Sequence, residues 1–312
     1  MMQSFLLFFG KKRKNLSYSL LGDVMLKKYV SYLGVLVLAC FSFYYTDKAV
    51  DIVKRNDPIM KNILANSKNY DIDPVSALIN GDEMIAGING KKFNIDKSYQ
   101  NMKKIDEYNE SMLVFDEVIP KISLFNSFDK YIVGGNMNKN QVALVFKVDD
   151  AYYIDTVNDV LLDKNVLATF FIDGNVVENN MNQVLELVSN GYEIENLGYD
   201  GSYSLERFGW TNNMISALTS EDTKFCYTDY KNNNVLDLCG QYKMYTVKPT
   251  ISVNSYPFTT VKNSLENGSI ISFNLNETTL KELPSIISYI KQKGYELVTL
   301  NELISENLVE EK

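Results

Sequence analysis

The chain has 312 residues, 46% of them hydrophobic, so it is long enough and apolar enough to bury one large core beside an accessory segment. The same apolar content excludes a disordered chain. Its formal net charge is -8, which excludes a nucleic-acid partner, because phosphate binding needs clustered Lys and Arg.

The first predicted element is a transmembrane helix at residues 29–46. An uncharged run of 18 residues from Tyr29 to Thr46 is near the lower end of the ~17 to 25 that cross a bilayer, and it has tyrosines near both ends. The positive-inside rule then predicts a single-pass cell-membrane protein with residues 1–28 in the cytoplasm and everything after Asp47 outside. The basic residues that set this orientation are Lys11, Lys12, Arg13, Lys14, Lys27 and Lys28.

Two alternatives remain open for this apolar run. It is also compatible with a buried core helix. Alternatively, Val37-Leu38-Ala39-Cys40 loosely resembles the processing site of a lipoprotein, which would anchor the chain through Cys40.

Residues 47–139 are predicted to form a small extracytoplasmic α+β stalk, because a polar, helix-compatible start leads into short strand-like runs around INGD and INGKK. This segment contains no recognisable chemical motif.

Residues 140–308 are predicted to form a second domain built from βα units. Apolar runs of five to seven residues alternate with amphipathic segments of helical length, a pattern typical of a parallel sheet. The number of units favours a small, distorted (β/α) barrel, whose working residues lie at the carboxyl ends of the strands. The predicted strands are Val142–Val148, Val166–Ile172, Tyr192–Ile194, Lys224–Tyr227, Met244–Val247, Ser269–Asn274 and Glu296–Thr299.

Cysteine usage predicts one disulfide. Cys226 and Cys239 are the two cysteines beyond the apolar run, and an extracytoplasmic location would let them persist as a bonded pair. Two separate buried thiols remain the alternative.

Several motifs of this second domain resemble those of the polysaccharide deacetylase family, the NodB homology domain. The resemblance runs from about Gln141 to Leu308 and rests on VALVF, NVLATFFIDGN, NGYEIEN and the closing KGYELVTLNEL. The family implies a distorted (β/α) barrel that removes acetyl groups from cell-surface glycans by means of a divalent metal.

The chain lacks the residues that this family chemistry needs, namely a carboxylate base and a metal held by one Asp and two His. There is no histidine in the sequence. Aligned by the motifs, Lys147 and Val148 take the positions of the base and the metal-binding Asp, Leu197 and Gly201 those of the two histidines, and Asn274 that of the acid histidine. No catalytic residue, bound metal or other cofactor is therefore expected.

The absence of histidine also excludes Ser-His-Asp and Cys-His catalysis, and no glycine-rich phosphate loop is present. One alternative remains open: Asp149 and Asp150 would replace the lost carboxylates if the first loop carried a two-residue bulge, with Ca²⁺ or Mg²⁺ as the metal. Otherwise these two residues solvate the turn and cap the following helix.

Polar and aromatic residues near the same strand ends are candidates for binding glycan, since sugar rings stack on aromatic faces. These candidates are Tyr152, Tyr153, Tyr199, Asp200, Tyr203, Trp210, Tyr227 and Tyr230.

The sequence thus predicts a membrane-anchored, deacetylase-like protein without catalysis that binds or organises cell-wall glycan or peptidoglycan. The alternatives are an active carbohydrate deacetylase with a relocated site and a protein-interaction scaffold of an envelope complex.

Overall fold

The computed structural model describes residues 6–66, 70–125 and 127–308, with side chains from residue 28 onward. The predicted cytoplasmic segment, residues 1–28, therefore lies outside the described side chains except for Lys28. Two compact units are distinguished: residues up to 70 together with 93–114, and residues 71–92 together with 115–308.

In the described residues, the first unit contains three α-helices. Helix α1 is Leu6–Asn56, α2 is Pro58–Asn66 and α3 is Ile95–Lys103. The α3 helix begins where the Asn94 side chain accepts a hydrogen bond from the Lys97 backbone N–H, the usual role of an N-cap asparagine. Within α1, Lys28–Asn56 is long and apolar enough to cross a membrane, and none of its most apolar window is buried.

The second unit is an α/β domain. Its strands are β1 (Leu78–Asn80), β2 (Glu83–Ile85), β3 (Gly90–Phe93, whose last residue belongs to the first unit), β4 (Phe115–Val118), β5 (Tyr131–Gly134), β6 (Gln141–Val148), β7 (Thr169–Ile172), β8 (Glu193–Asn196), β9 (Phe225–Tyr227), β10 (Tyr245–Val247), β11 (Ile251–Val253), β12 (Ile270–Asn274) and β13 (Glu296–Val298). Its helices are α4 (Ile154–Lys164), α5 (Gly174–Asn179), α6 (Met181–Ser189), α7 (Leu205–Thr219), α8 (Asn233–Gln241), α9 (Pro257–Ser264), α10 (Glu277–Gln292) and α11 (Leu300–Ile304).

A large, mainly parallel sheet organises this unit. In the described residues its order is β1-β2-β5-β10-β9-β8-β7-β6-β12-β11, and β13 also pairs with β6. Within the described strands of this sheet, β1 and β2 pair antiparallel and the other neighbours pair in parallel. The alternation of strands and helices in the sequence produces this arrangement. Two parallel neighbouring strands need a crossover connection, usually a helix, that returns the chain to the same end of the sheet.

The sheet is buried on both faces, which accounts for the continuous apolar run from Val142 to Phe146 in β6. Val142, Leu144 and Phe146 pack against the surrounding helices. Ala143 and Val145 point to the other side and join a second core made by the sheet curling on itself. The fold is therefore the predicted distorted (β/α) barrel, preceded by an apolar helix.

The predicted stalk, residues 47–139, is distributed over both units rather than forming a separate body. Strands β1, β2 and β5 belong to the large sheet, where β5 pairs with β10 in parallel. Sequence patterning did not indicate this, because β5 is only four residues long and lies before the regular βα rhythm begins.

Candidate functional site

The candidate site lies at the carboxyl ends of strands β6, β8, β9 and β12. At its centre, the Lys147 ammonium group donates a hydrogen bond to Asp229 Oδ2 over 2.8 Å. Lys147 ends the inward-facing series of β6, and Asp229 follows β9. Since the strands are parallel, their ends meet at one edge, which brings together residues 82 positions apart in sequence.

Two hydroxyl groups support the carboxylate of this pair. Tyr227 donates its O–H to Asp229 Oδ1 over 2.7 Å, and Ser272 Oγ lies 2.8 Å from the same phenol oxygen. Because the Tyr227 proton is used by Asp229, Ser272 acts as the donor to the phenol. The Lys147 nitrogen also lies 5.3 Å from the centroid of the Tyr227 ring.

The phenol of Tyr227 is held in its protonated form. Burial raises the pKa of Tyr227 well above its ordinary value, and the neighbouring Asp229 raises this pKa further. Tyr227 therefore acts as a hydrogen-bond donor and not as a base. Tyr203 is also a hydrogen-bond donor. Its hydroxyl donates to the Tyr227 carbonyl oxygen over 2.7 Å, and burial raises the pKa of Tyr203.

The positions that the resemblance assigns to metal-binding side chains carry Val148, Leu197 and Gly201, and none of these side chains can coordinate a metal. Val148 is fully buried among the helix-facing residues of β6, directed away from Lys147. Leu197 packs against the interior core, and Gly201 lies in a turn with φ of +67°. Asn274 is paired in register with Lys147 but supplies only an amide.

A divalent metal does not fit this arrangement. In the part of the chain that the structure describes, no three Asp, Glu or Cys side chains converge as a metal site would require. The position of the expected base itself carries the Lys147 ammonium group, and a metal cation beside this group would be repelled.

The loop after β8 is held by a carboxylate that sequence reasoning did not single out. Asp173 is 2% exposed and accepts hydrogen bonds from the backbone N–H groups of Asn175, Asp200 and Gly201. The available signal was an acidic residue directly after the apolar run ATFFI, the same pattern that drew attention to Asp149.

Asp149 and Asp150 lie on the outer side of the site. Both line a pocket of about 430 Å³ together with residues of α5 and α6, including Asn175 and Gln183. Asp150 caps the short 3₁₀ helix Ala151–Tyr153 by accepting from the Tyr152 backbone N–H over 2.8 Å. This contact agrees with the alternative in which these residues cap the helix that follows the turn.

The aromatic candidates divide by exposure. Tyr152 is 77% exposed and Tyr230 is 69% exposed, whereas Tyr153 is partly buried against the outer core. Tyr199 contacts both Trp210 and Arg207, and its hydroxyl donates to Glu178. The Asp200 carboxylate accepts from the Asn175 side chain over 2.8 Å.

The predicted pair Cys226 and Cys239 is joined by a disulfide in the structure. The bond connects β9 to α8 beneath the site, and both residues belong to a small core with Phe208, Val235, Leu238 and Met244.

Comparison with known proteins finds similarity to polysaccharide deacetylases. Residues 134–250 match the family model described as polysaccharide deacetylase. The YlxY protein of Bacillus subtilis is 29% identical over 277 residues, covering 82% of this chain and 86% of that protein. A bifunctional xylanase/deacetylase of Pseudobutyrivibrio xylanivorans is 29% identical over 224 residues, covering 64% of this chain and 37% of that protein.

Among solved structures, wild-type BA3943 of Bacillus anthracis is described as a CE4 family pseudoenzyme. It superposes with a TM-score of 0.62 at 25% identity, covering 80% of this chain and 96% of that one. The Bc1960 peptidoglycan N-acetylglucosamine deacetylase shares the fold, with a TM-score of 0.52 at 23% identity over 57% of this chain and 95% of that one.

Proposed function

We propose that this chain, of which residues 134–250 match the polysaccharide deacetylase family model, is a membrane-anchored, extracytoplasmic protein that has lost deacetylase activity and binds cell-wall glycan. The observation that carries the proposal is the Lys147–Asp229 ion pair. It places a bound ammonium group where the family chemistry needs a free carboxylate next to a metal.

The similarity to BA3943 supports the loss of catalysis, since that protein is itself described as a pseudoenzyme and matches most of this chain. The chemistry of Lys147 also supports the loss of catalysis. An ammonium group paired to Asp229 donates hydrogen bonds but does not accept the proton of an attacking water.

The retained surface supports glycan binding. Tyr152 and Tyr230 follow β6 and β9 at the same sheet edge, and both present exposed rings on which a sugar can stack. The pocket beside Tyr152 offers amide and carboxylate groups from Asn175, Asn179 and Asp149, which can pair with sugar hydroxyls.

Helix α1 supports the proposed location. Its apolar part, Lys28–Asn56, supports an anchor in the bilayer, and the basic residues before it favour a cytoplasmic N-terminus. The deacetylase-like domain then faces the cell wall, where glycan is available.

A binding assay tests the glycan proposal. The full-length protein in lipid nanodiscs is incubated with purified insoluble peptidoglycan, and the bound fraction is measured after sedimentation. We expect Tyr152→Ala and Tyr230→Ala each to weaken binding about fivefold, equivalent to about 1 kcal/mol. Leu162→Ala, which removes an exposed apolar side chain from α4, is the matched control. Binding that is absent in the wild type, or unchanged in both tyrosine variants, would contradict glycan recognition at this edge.

A further inference from the structure

The pocket beside Tyr152 has a chemical character that limits which glycan it accepts. Its volume is about 430 Å³, and it lies between the loop after β6 and helices α5 and α6. The Tyr152 ring is exposed at its edge, and the Tyr152 backbone N–H donates to Asp150 Oδ1. This bond holds a carboxylate next to an aromatic ring, so that one small ligand can contact both groups.

Two carboxylates at the edge of this pocket are not neutralised by a cation. Asp149 and Asp150 are both exposed, and neither has a lysine or arginine within ion-pair distance in the described residues. No lysine or arginine that the structure describes lines the pocket. Its lining therefore has a net negative charge.

The elements around the pocket are also poor in basic residues. Between Lys147 and Arg207 the sequence contains one lysine and no arginine, and this Lys164 lies at the C-terminal end of α4. Lys147 is held in the ion pair described above, and Arg207 lies over the ring of Tyr199. Charge complementarity therefore favours a positively charged ligand in this pocket.

The amide groups of the wall have already used donors within the protein. The nitrogens of Gln183 and Asn175 each donate to a carboxylate, that of Asp155 and Asp200 respectively. Since a carboxylate only accepts, these bonds fix the orientation of both amides. The Asn179 nitrogen donates to the Asn175 backbone carbonyl over 2.9 Å. An ammonium group brings donors to such a wall, whereas the carbonyl of an acetamido group brings another acceptor.

We propose that this pocket selects glycan in which a sugar carries a free amino group in place of the acetamido group, an inference that rests on the glycan binding proposed above. The sugar ring stacks on Tyr152, and its ammonium group pairs with Asp149 and Asp150. An N-acetylated sugar keeps the stacking but has no positive charge. A metal ion is a poorer occupant, because no three Asp, Glu or Cys side chains converge in the described residues.

A free amino group on a glycan implies an earlier amide hydrolysis. In that reaction water cleaves the N-acetyl bond, acetate leaves, and the amine takes up a proton near neutral pH. A chain that lacks the residues for this hydrolysis would then bind its product instead of forming it.

Calorimetric titration of the full-length protein in phosphatidylcholine nanodiscs tests the preference, with empty nanodiscs as the blank and a chelator present. The ligands are a chitosan oligosaccharide with free amines and the N-acetylated chitooligosaccharide of the same length, at about pH 6.5, where the amines are protonated. We expect the free amine to bind at least about tenfold more tightly. Equal affinities, tighter binding of the N-acetylated ligand, or no heat from either would overturn the preference. Peptidoglycan sedimentation with the tyrosine variants decides glycan binding separately.

Variants locate the site. The double change Asp149→Asn and Asp150→Asn should weaken binding of the free amine about tenfold and leave the N-acetylated ligand unchanged, and Asn retains the helix cap. Tyr152→Ala should weaken binding of both ligands. The control, Asp159→Asn with Asp163→Asn, removes two exposed carboxylates of α4 outside the pocket and should change neither affinity. Binding of the free amine by the first double variant at wild-type strength, or equal binding of an oligolysine of the same charge, would overturn the proposal.

Discussion

At the scale of single residues, Lys147 has a structural contact at the position that the family resemblance assigns to the base. Its ammonium group contacts Asp229, and Asp229 in turn contacts Tyr227, so the inward-facing end of β6 is tied to β9. Lys147 could be identified from sequence because it follows Phe146 in a recognisable motif. Its partner Asp229 could not be identified from sequence, because the contact depends on how closely β6 and β9 approach across the curled sheet.

The direction of Val148 has a consequence for any attempt to restore a metal site. Its side chain is fully buried among apolar residues facing the helices, so Val148→Asp places a carboxylate in the core with no partner. We expect a loss of about 3 kcal/mol or more in the free energy of unfolding. Val148→Ala is the control, since it removes packing without adding charge. Urea unfolding that ranks the Asp variant equal to or above the Ala variant would contradict the assigned direction.

Buried Glu195 predicts a pH-dependent stability. Burial raises its pKa well above the usual range, the nearby Glu193 adds to this, and two backbone N–H groups of Lys224 and Phe225 bond to its Oε2. A folded-state pKa above the unfolded value of about 4.3 means that the stabilisation is complete below about pH 4 and is lost as pH rises through the folded-state pKa.

We therefore expect Glu195→Gln, which keeps an acceptor oxygen for both N–H groups, to raise Tm at pH 8 by about 2 to 4 °C or more, with the gain shrinking towards pH 4.5. Thermal melts across this range provide the measurement. Glu206→Gln, at an exposed position on α7, should show no such trend. A lower Tm for Glu195→Gln at pH 8 would be the opposite of this expectation.

At the scale of elements, apolar run length predicted the strands after residue 140 to within a few residues. Predicted Val142–Val148 is observed as Gln141–Val148, and predicted Glu296–Thr299 as Glu296–Val298. The largest shift is at β7, where the predicted Val166 start is delayed to Thr169 because Asn165 ends α4 in a left-handed conformation. Strand β11, Ile251–Val253, was not predicted, since three residues after Pro249 and Thr250 give no readable alternation.

The disulfide between β9 and α8 predicts a measurable contribution to stability. Cys226 and Cys239 are 13 residues apart, and closing a loop of about this length contributes roughly 3 kcal/mol in the chain-entropy model. The double variant Cys226→Ala and Cys239→Ala should lower the free energy of unfolding by about this amount, whereas Cys40→Ala should not change it. Mass spectrometry of protein isolated from the native envelope should find the pair bonded; two free thiols would contradict the bond.

At the scale of the whole molecule, the chain joins an apolar helix to a barrel whose outer strands come from a segment that sequence patterning assigned to a separate stalk. The barrel core was predictable because β6, β7 and β12 are continuous apolar runs. The participation of β1, β2 and β5 in the sheet could not be predicted. The pairing of short strands at the side of a sheet is decided by tertiary contacts rather than by the local sequence pattern.

The proposed membrane topology rests on the charge asymmetry around α1. We expect protease added to intact, wall-stripped cells to digest residues 71–308 and to leave cytoplasmic marker proteins whole. Cys40→Ala should stay membrane-bound, because a spanning helix needs no lipid at Cys40. Full protection of the barrel would contradict the extracytoplasmic orientation, and release of the Cys40→Ala protein would indicate a lipoprotein anchor.

Acetate release tests the absence of catalysis most directly. The full-length protein is incubated with N-acetylated chitooligosaccharide or peptidoglycan in the presence of Zn²⁺, Co²⁺ or Mn²⁺, and free acetate is measured against a no-protein blank. Since Lys147 is paired to Asp229 and the remaining family positions carry no ligand, we expect release at background with every metal. Metal-dependent release above background that is abolished by Asp149→Ala or Asp150→Ala would contradict this and identify a working deacetylase with a displaced site.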